Sequence, residues 1–160
     1  MTVLIFVSGF CFGPVVGTVV GAVSLTIYML IPFPFAHPAA WLFVISPVLL
    51  AIMAALGAMF GLIGGLLGKT RRVSQGRRFT LEMGLWGLVL TFVYDIMSSV
   101  GFYVAYPFYP SVWEAIYLTF IPLYMPYPPI IHTVTNTLVF AIMAPPTINS
   151  IKSLHAKMAA

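Results

Sequence analysis

Apolar residues run through this chain in long stretches, broken by short clusters of glycine, proline and charge. Stretches of about 20 apolar residues match the length a helix needs to cross a bilayer, and they do not alternate as a half-buried strand would. Five apolar segments can be drawn. Residues 1–12 and 14–31 flank Gly13-Pro14, and 40–67, 79–104 and 127–145 follow. One helix over 1–31 would be about 46 Å long at 1.5 Å per residue, against a hydrocarbon core of about 30 Å. Proline is favoured in the first turn of a helix, so Gly13-Pro14 reads as a tight turn that opens a new one. The rival is four helices, with 1–31 as a single tilted span. Pro32, Pro34 and Pro38 mark the next loop, and Gly68 with a basic run marks the third. The stretch 105–126, with Pro107, Pro110, Pro122 and Pro126, is too broken for a regular span and reads as a lid.

Composition turns this pattern into a class. Hydrophobic residues make up 61% and charged residues 6%, with a mean hydropathy of +1.07. Soluble domains carry about 25% charged residues. The expected fold is an all-α membrane protein: one domain over 1–160, a bundle of five transmembrane helices and a short tail at 146–160. Cys11 is the only cysteine, so neither a disulfide framework nor a cysteine metal cluster is available. Met1–Phe12 lacks the basic region of a cleaved signal peptide.

The net charge of +4 does not indicate nucleic acid, because all seven cations fall in two places. Lys69, Arg71, Arg72, Arg77 and Arg78 share one loop, and Lys152 and Lys157 lie near the C-terminus. Cytoplasmic loops hold the Lys/Arg excess of membrane proteins, which places the loop 69–78 and the C-terminus inside, near lipid headgroups. By parity Met1 then falls outside. A short first helix starting outside reads as a bundle lacking one N-terminal helix, through truncation or a misplaced start.

Two glycine ladders repeat every four residues: Gly9, Gly13, Gly17 and Gly21, then Gly57, Gly61 and Gly65. Small residues four apart line one helix face and let backbones approach closely. They serve either internal packing or docking onto another membrane subunit.

Asp95 is the only acid between Glu82 and Glu114, inside GLWGLVLTFVYDIMSSVGF. A carboxylate in a bilayer costs about 2.5–3.5 kcal/mol on insertion scales, so an intramembrane acid is a functional-site candidate by default. Asp95 lies about 24 Å along its helix from the inner end, in the outer half. Thr91, Ser98, Ser99 and Phe102 surround it at helical spacing. On the returning helix His132 and Asn136 are four apart, with Thr133 beside them, and antiparallel packing brings the two stripes to similar depth. The candidate ligand contacts are Asp95, Ser99, His132 and Asn136, with Tyr94, Phe102 and Trp113 as apolar or stacking walls. An apolar aromatic pocket with a few convergent polar groups is the usual design of a small-molecule site. The competing reading is plainer: Asp95, His132 and Asn136 only hydrogen-bond neighbouring helices together. His37 reads as a solvated loop residue, and Glu82 pairs with Arg78 at i, i+4.

Catalytic readings fail. GGLLGKT at Gly64–Thr70 mimics a phosphate-binding loop, but its first glycine position is Ile63 and it follows a membrane helix. There is no HExxH, no GxSxG and no close pair of carboxylates. No enzyme activity, metal or cofactor is expected.

FGPVVGTVVGAVSLTIYMLIPFPF, GLWGLVLTFVYDIMSSVGF and HTVTNTLVFAIMAPP together resemble the substrate-binding S component of energy-coupling factor (ECF) transporters. The similarity spans nearly the whole chain through loose glycine, proline and polar spacings. It implies a six-helix fold, here lacking its first helix, that captures a vitamin-type micronutrient from outside. A transmembrane T component and two ATP-binding subunits would be the partners, and the S component would topple to release its cargo. The family's small-residue docking motif lies on the first helix, which this chain lacks. Nickel and cobalt members start Met-His-His, whereas this chain starts Met1-Thr2-Val3.

Overall fold

Gly13 ends the first helix and reverses the chain. In a computed structural model, residues 1–30, 46–70, 76–106, 109–120 and 129–158 are described. Helix α1 (Thr2–Phe12) stops where Gly13 takes φ +98°, and the Gly13 N–H donates to the Gly9 carbonyl at 2.7 Å. A side chain is disfavoured at that φ, and Pro14 follows at the first position of α2 (Pro14–Leu30), where its missing N–H has no helical partner to lose. α2 then returns along α1, with Gly17 over Gly9 and Gly21 over Ile5. A single helix over 1–31 is thereby ruled out.

α3 (Pro47–Thr70) opens on the Ser46 hydroxyl, which accepts the Leu49 N–H at 3.3 Å. That is a serine N-cap followed by a first-turn proline. α3 runs parallel to α1, Gly64 meeting Phe6 and Gly68 meeting Phe10. It runs antiparallel to α2, Gly61 meeting Gly17 and Gly57 meeting Gly21. Backbone lies on backbone at these crossings.

α4 (Arg77–Ala105) and α6 (Pro129–Met158) form an antiparallel pair. Gly84 lies opposite Ala141, Gly87 opposite Phe140, and Asp95 opposite His132. The short α5 (Val112–Phe120) returns along α4, bringing Phe120 to 6.1 Å from Phe92. Aromatic rings join the two groups of helices: Phe6 meets Phe140 edge-on at 5.3 Å, and Phe10 meets Phe79 at 6.2 Å. Phe6, Phe60 and Phe140 are completely buried.

The all-α class holds, with six helices and no strand among the described residues. Among them α3 and α4 are long and apolar enough to cross a membrane, while α1 and α2 are shorter apolar helices. α1, with 11 residues, is only about 16 Å long. The outside of the bundle is apolar too: Val15, Val19, Val23 and Ile27 of α2, and Val134, Leu138 and Ile142 of α6, are exposed. Helices that are hydrophobic all round belong in an apolar surrounding rather than at a water-facing surface.

Two expectations change. The segment expected to break away at 146 is helical as far as it is described, since α6 runs through Pro145-Pro146 to Met158. Phe140, Ala144 and Ile148 are all fully buried on one face, so packing on both sides of the prolines holds the helix line. The segment expected over 40–67 begins its described helix at Pro47 and continues to Thr70, while 40–45 lie outside the described residues.

Candidate functional site

Asp95 is the one buried acid among the described residues, with 6% of its surface exposed. Two turns of α6 supply its partners. His132 Nδ1 lies 2.8 Å from Asp95 Oδ1, and the Thr133 hydroxyl donates to Asp95 Oδ2 at 3.2 Å. Asn136 Nδ2 then lies 2.9 Å from His132 Nε2. The three contacts fit one proton arrangement. His132 donates from Nδ1 to the carboxylate, and its Nε2 lone pair accepts from the Asn136 amide. Each donor has an acceptor, so the imidazole is held at both nitrogens.

The helix register creates this chain of bonds. His132 and Asn136 are four residues apart on α6 and so share a face, with Thr133 adjoining it. Gly87 lets α6 approach one level further along, where an added Cβ would press on Phe140 and the Asn136 carbonyl. Tyr94 flanks the imidazole with its ring centroid 6.1 Å away, edge-on, and Phe60 of α3 meets Tyr94 at 6.1 Å. His132 remains the open member, its side chain 39% exposed against 8% for Asp95.

The other expected residues divide. Ser99 is buried beside Asp95, but its hydroxyl donates to the Asp95 backbone carbonyl at 2.7 Å, and Ser98 does the same at 3.0 Å. Both hydroxyls are spent within α4 and neither reaches the carboxylate. Phe102 is half-buried and meets Tyr106 at 6.1 Å. Trp113 is 76% exposed on α5, so it does not serve as a wall of this cluster. His37 lies outside the described residues.

Thr91 carries more weight than its place in the stripe gave it. It is 1% exposed, one helical turn from Asp95, and its hydroxyl meets no hydrogen-bond partner among the described residues. A buried hydroxyl left unsatisfied costs about 1–3 kcal/mol. Sequence showed its spacing, but the lack of a partner is visible only once α4 is packed. Phe60 was not anticipated at all, because nothing in its local sequence points to Tyr94.

The docking assignment of the glycine ladders is corrected. Gly9, Gly17 and Gly21 pack against Gly57, Gly61 and Gly65 or their immediate neighbours within the same chain. Their faces are therefore occupied by internal backbone. Gly13 instead serves the reversal, with nothing within 4 Å of an added Cβ. The mimic of a phosphate-binding loop is also resolved: Gly64–Thr70 is helical within α3, and the Thr70 hydroxyl donates back to the Leu66 carbonyl.

Charge is segregated along the bundle. Lys69 ends α3, Arg77 and Arg78 begin α4, and Lys152 and Lys157 lie in the last turns of α6. The Lys152 ammonium sits 5.0 Å over the Phe10 ring, and His155 meets Phe12 at 5.6 Å. Asp95 belongs to the opposite half of α4, about 27 Å from Arg77 along the helix. No group of three His, Cys, Asp or Glu side chains among the described residues could hold a metal ion. Comparison with family models, with curated proteins and with solved structures finds no match to this chain.

Proposed function

We propose that this chain is the membrane-embedded substrate-capture subunit of an ECF-type importer for a vitamin or related micronutrient. In this reading it is a multi-pass plasma-membrane protein, and the basic segment 69–78 and the C-terminus face the cytoplasm. Ligand enters from outside into the half that holds Asp95, His132, Thr133 and Asn136, with Tyr94 beside them. A transmembrane T component and two ATP-binding subunits supply the coupling, and the chain itself is not an enzyme and uses no cofactor.

The observation that carries this reading is the Asp95–His132–Asn136 chain. It combines a buried carboxylate with a partly exposed imidazole, in the half of the bundle that contains no lysine or arginine. Intramembrane ionisable groups that face a bundle interior mark substrate pathways. With both ladders used internally, docking onto the T component falls to another face.

A second reading is an assembly subunit with no ligand of its own. Its support is that both Asp95 oxygens already have partners within the chain. Purification in mild detergent separates the two. Recovery with a T-type subunit and an ATPase, together with a retained small molecule in native mass spectrometry, supports capture. Recovery with unrelated membrane proteins and no retained molecule would sink it. An Asp95→Asn variant that keeps full ligand affinity would overturn the site assignment.

A further inference from the structure

We propose that the Asp95 site takes a ligand that is cationic or rich in N–H donors, and that it rejects carboxylates and phosphates. The inference rests on the capture reading and adds the ligand's chemical class.

Charge and open hydrogen-bonding capacity set the ligand class. All seven lysines and arginines lie in 69–78 or at Lys152 and Lys157, and the sequence has none between Arg78 and Lys152. His132 is some 20 residues from Lys152 along α6, or about 30 Å, and Asp95 is about 27 Å from Arg77. No lysine or arginine side chain therefore stands at this site to offset a ligand's negative charge.

His132 does not reverse that balance. With Asp95 ionised, the bonded pair carries −1 when the imidazole is neutral and 0 when it is protonated. An anion entering here would meet a carboxylate without a clamp, whereas a cation or N–H donor would find acceptors. Asp95 Oδ1 and Oδ2 each keep a lone pair beyond the His132 and Thr133 bonds, and the Asn136 side-chain oxygen accepts no hydrogen bond among the described residues. Thr91 adds a buried hydroxyl with no partner among the described residues, one turn away on the same helix. Glu114, the other acid beyond Glu82, is exposed on α5, which packs back along this half of α4. Edge-on aromatic rings at Tyr94 and His132 suit a flat ring bearing the donors.

The test uses two compounds with one ring and opposite charge: 4-aminopyridine, protonated at neutral pH, and isonicotinate, its carboxylate counterpart. The detergent-purified full chain is melted with each, and native mass spectra are recorded before and after addition. The expected result is a dose-dependent rise in melting temperature with 4-aminopyridine and none with isonicotinate. Asp95→Asn should weaken that binding at least tenfold while helical circular dichroism stays unchanged, and Thr91→Val should weaken it several-fold. Preference for isonicotinate, equal response to both, or a retained carboxylate or phosphate compound overturns the ligand class and leaves capture standing. A response to neither compound, with no retained molecule, overturns the class and the capture reading together.

Discussion

Gly61→Ala is a sensitive probe of how this bundle is held. A Cβ on Gly61 would fall on the carbonyl oxygen, carbonyl carbon and Cα of Gly17, all of them backbone atoms that no rotamer change can move. Carbon contacts settle near 3.5–4.0 Å, so α2 and α3 would have to part by roughly 1.5 Å. A gap of that size forfeits about half or more of each contact of about 0.1–0.2 kcal/mol. Over about 50 atom pairs, the number one buried leucine makes, the loss is about 3 kcal/mol. Alanine returns about 1 kcal/mol of helix propensity, leaving a net destabilisation of about 2 kcal/mol. Gly84→Ala is the control. The nearest atoms to its Cβ would be the Ala141 Cβ at 3.2 Å and Thr137 atoms at 3.6 and 3.9 Å, so propensity and packing nearly cancel there. Unfolding both variants by titrating dodecyl sulfate into mild-detergent micelles, followed by circular dichroism, gives the comparison. If Gly61→Ala is as stable as the parent or more so, the backbone-on-backbone account of α2 and α3 is wrong.

The same titration checks three other substitutions. Phe140→Ala removes a fully buried ring that packs on Phe6 and covers Gly87, and should cost about 3–5 kcal/mol, with Phe140→Leu much milder. Pro146 is exposed, so Pro146→Ala should restore a donor toward the Ile142 carbonyl without loss of packing and raise stability by about 1–3 kcal/mol. A fall in stability would show that α6 depends on the proline break. His132→Leu should lower stability more than the Asp95→Leu/His132→Leu double substitution, because the single change strands a buried carboxylate whose remaining side-chain donor is Thr133. A double-mutant cycle reads that coupling at about 1–3 kcal/mol, and strictly additive changes would mean the 2.8 Å contact contributes nothing.

What could be read in advance follows from the range of each signal. Gly13-Pro14 acts on its own backbone, so a turn and the helix start that follows it can be placed from neighbouring residues alone, whereas the start at Ser46-Pro47 was hidden by the apolar run drawn from residue 40. The Asp95, His132 and Asn136 pairing depended on two local facts, helical spacing and opposite helix directions, and both are contained in the apolar pattern and the placement of the cations. The partner of the glycine ladders was not legible. Small residues at a four-residue period permit close approach by any helix, and nothing in Gly57, Gly61 and Gly65 states that the helix is α2. Ser99 was misassigned for a related reason. Its spacing from Asp95 is right for a shared face, but a serine inside a helix can turn its hydroxyl onto the carbonyl four residues back. Pro145-Pro146 gave a false boundary because local propensity favours a break there, while burial of Phe140, Ala144 and Ile148 along one face outweighs it.

The ladders and the polar chain are parts of one construction. Glycine-to-glycine contact sets the position of α3 against α2, and α3 carries Phe60 to Tyr94. Tyr94 in turn rests edge-on against His132, one residue along α4 from the aspartate that His132 binds. The imidazole is therefore located twice, by hydrogen bonds from its own pair of helices and by a ring contact that originates in the glycine-packed group. Interiors this closely packed do not deform continuously, so a shift of α3 passes to Tyr94 rather than being absorbed between them. A polar group held from both sides keeps its orientation when a ligand arrives or leaves, and less of the binding free energy is then spent on ordering it. On this argument the glycines serve the Asp95 site without touching it: they fix the distance of α3, through which Phe60 and Tyr94 hold His132 against Asp95.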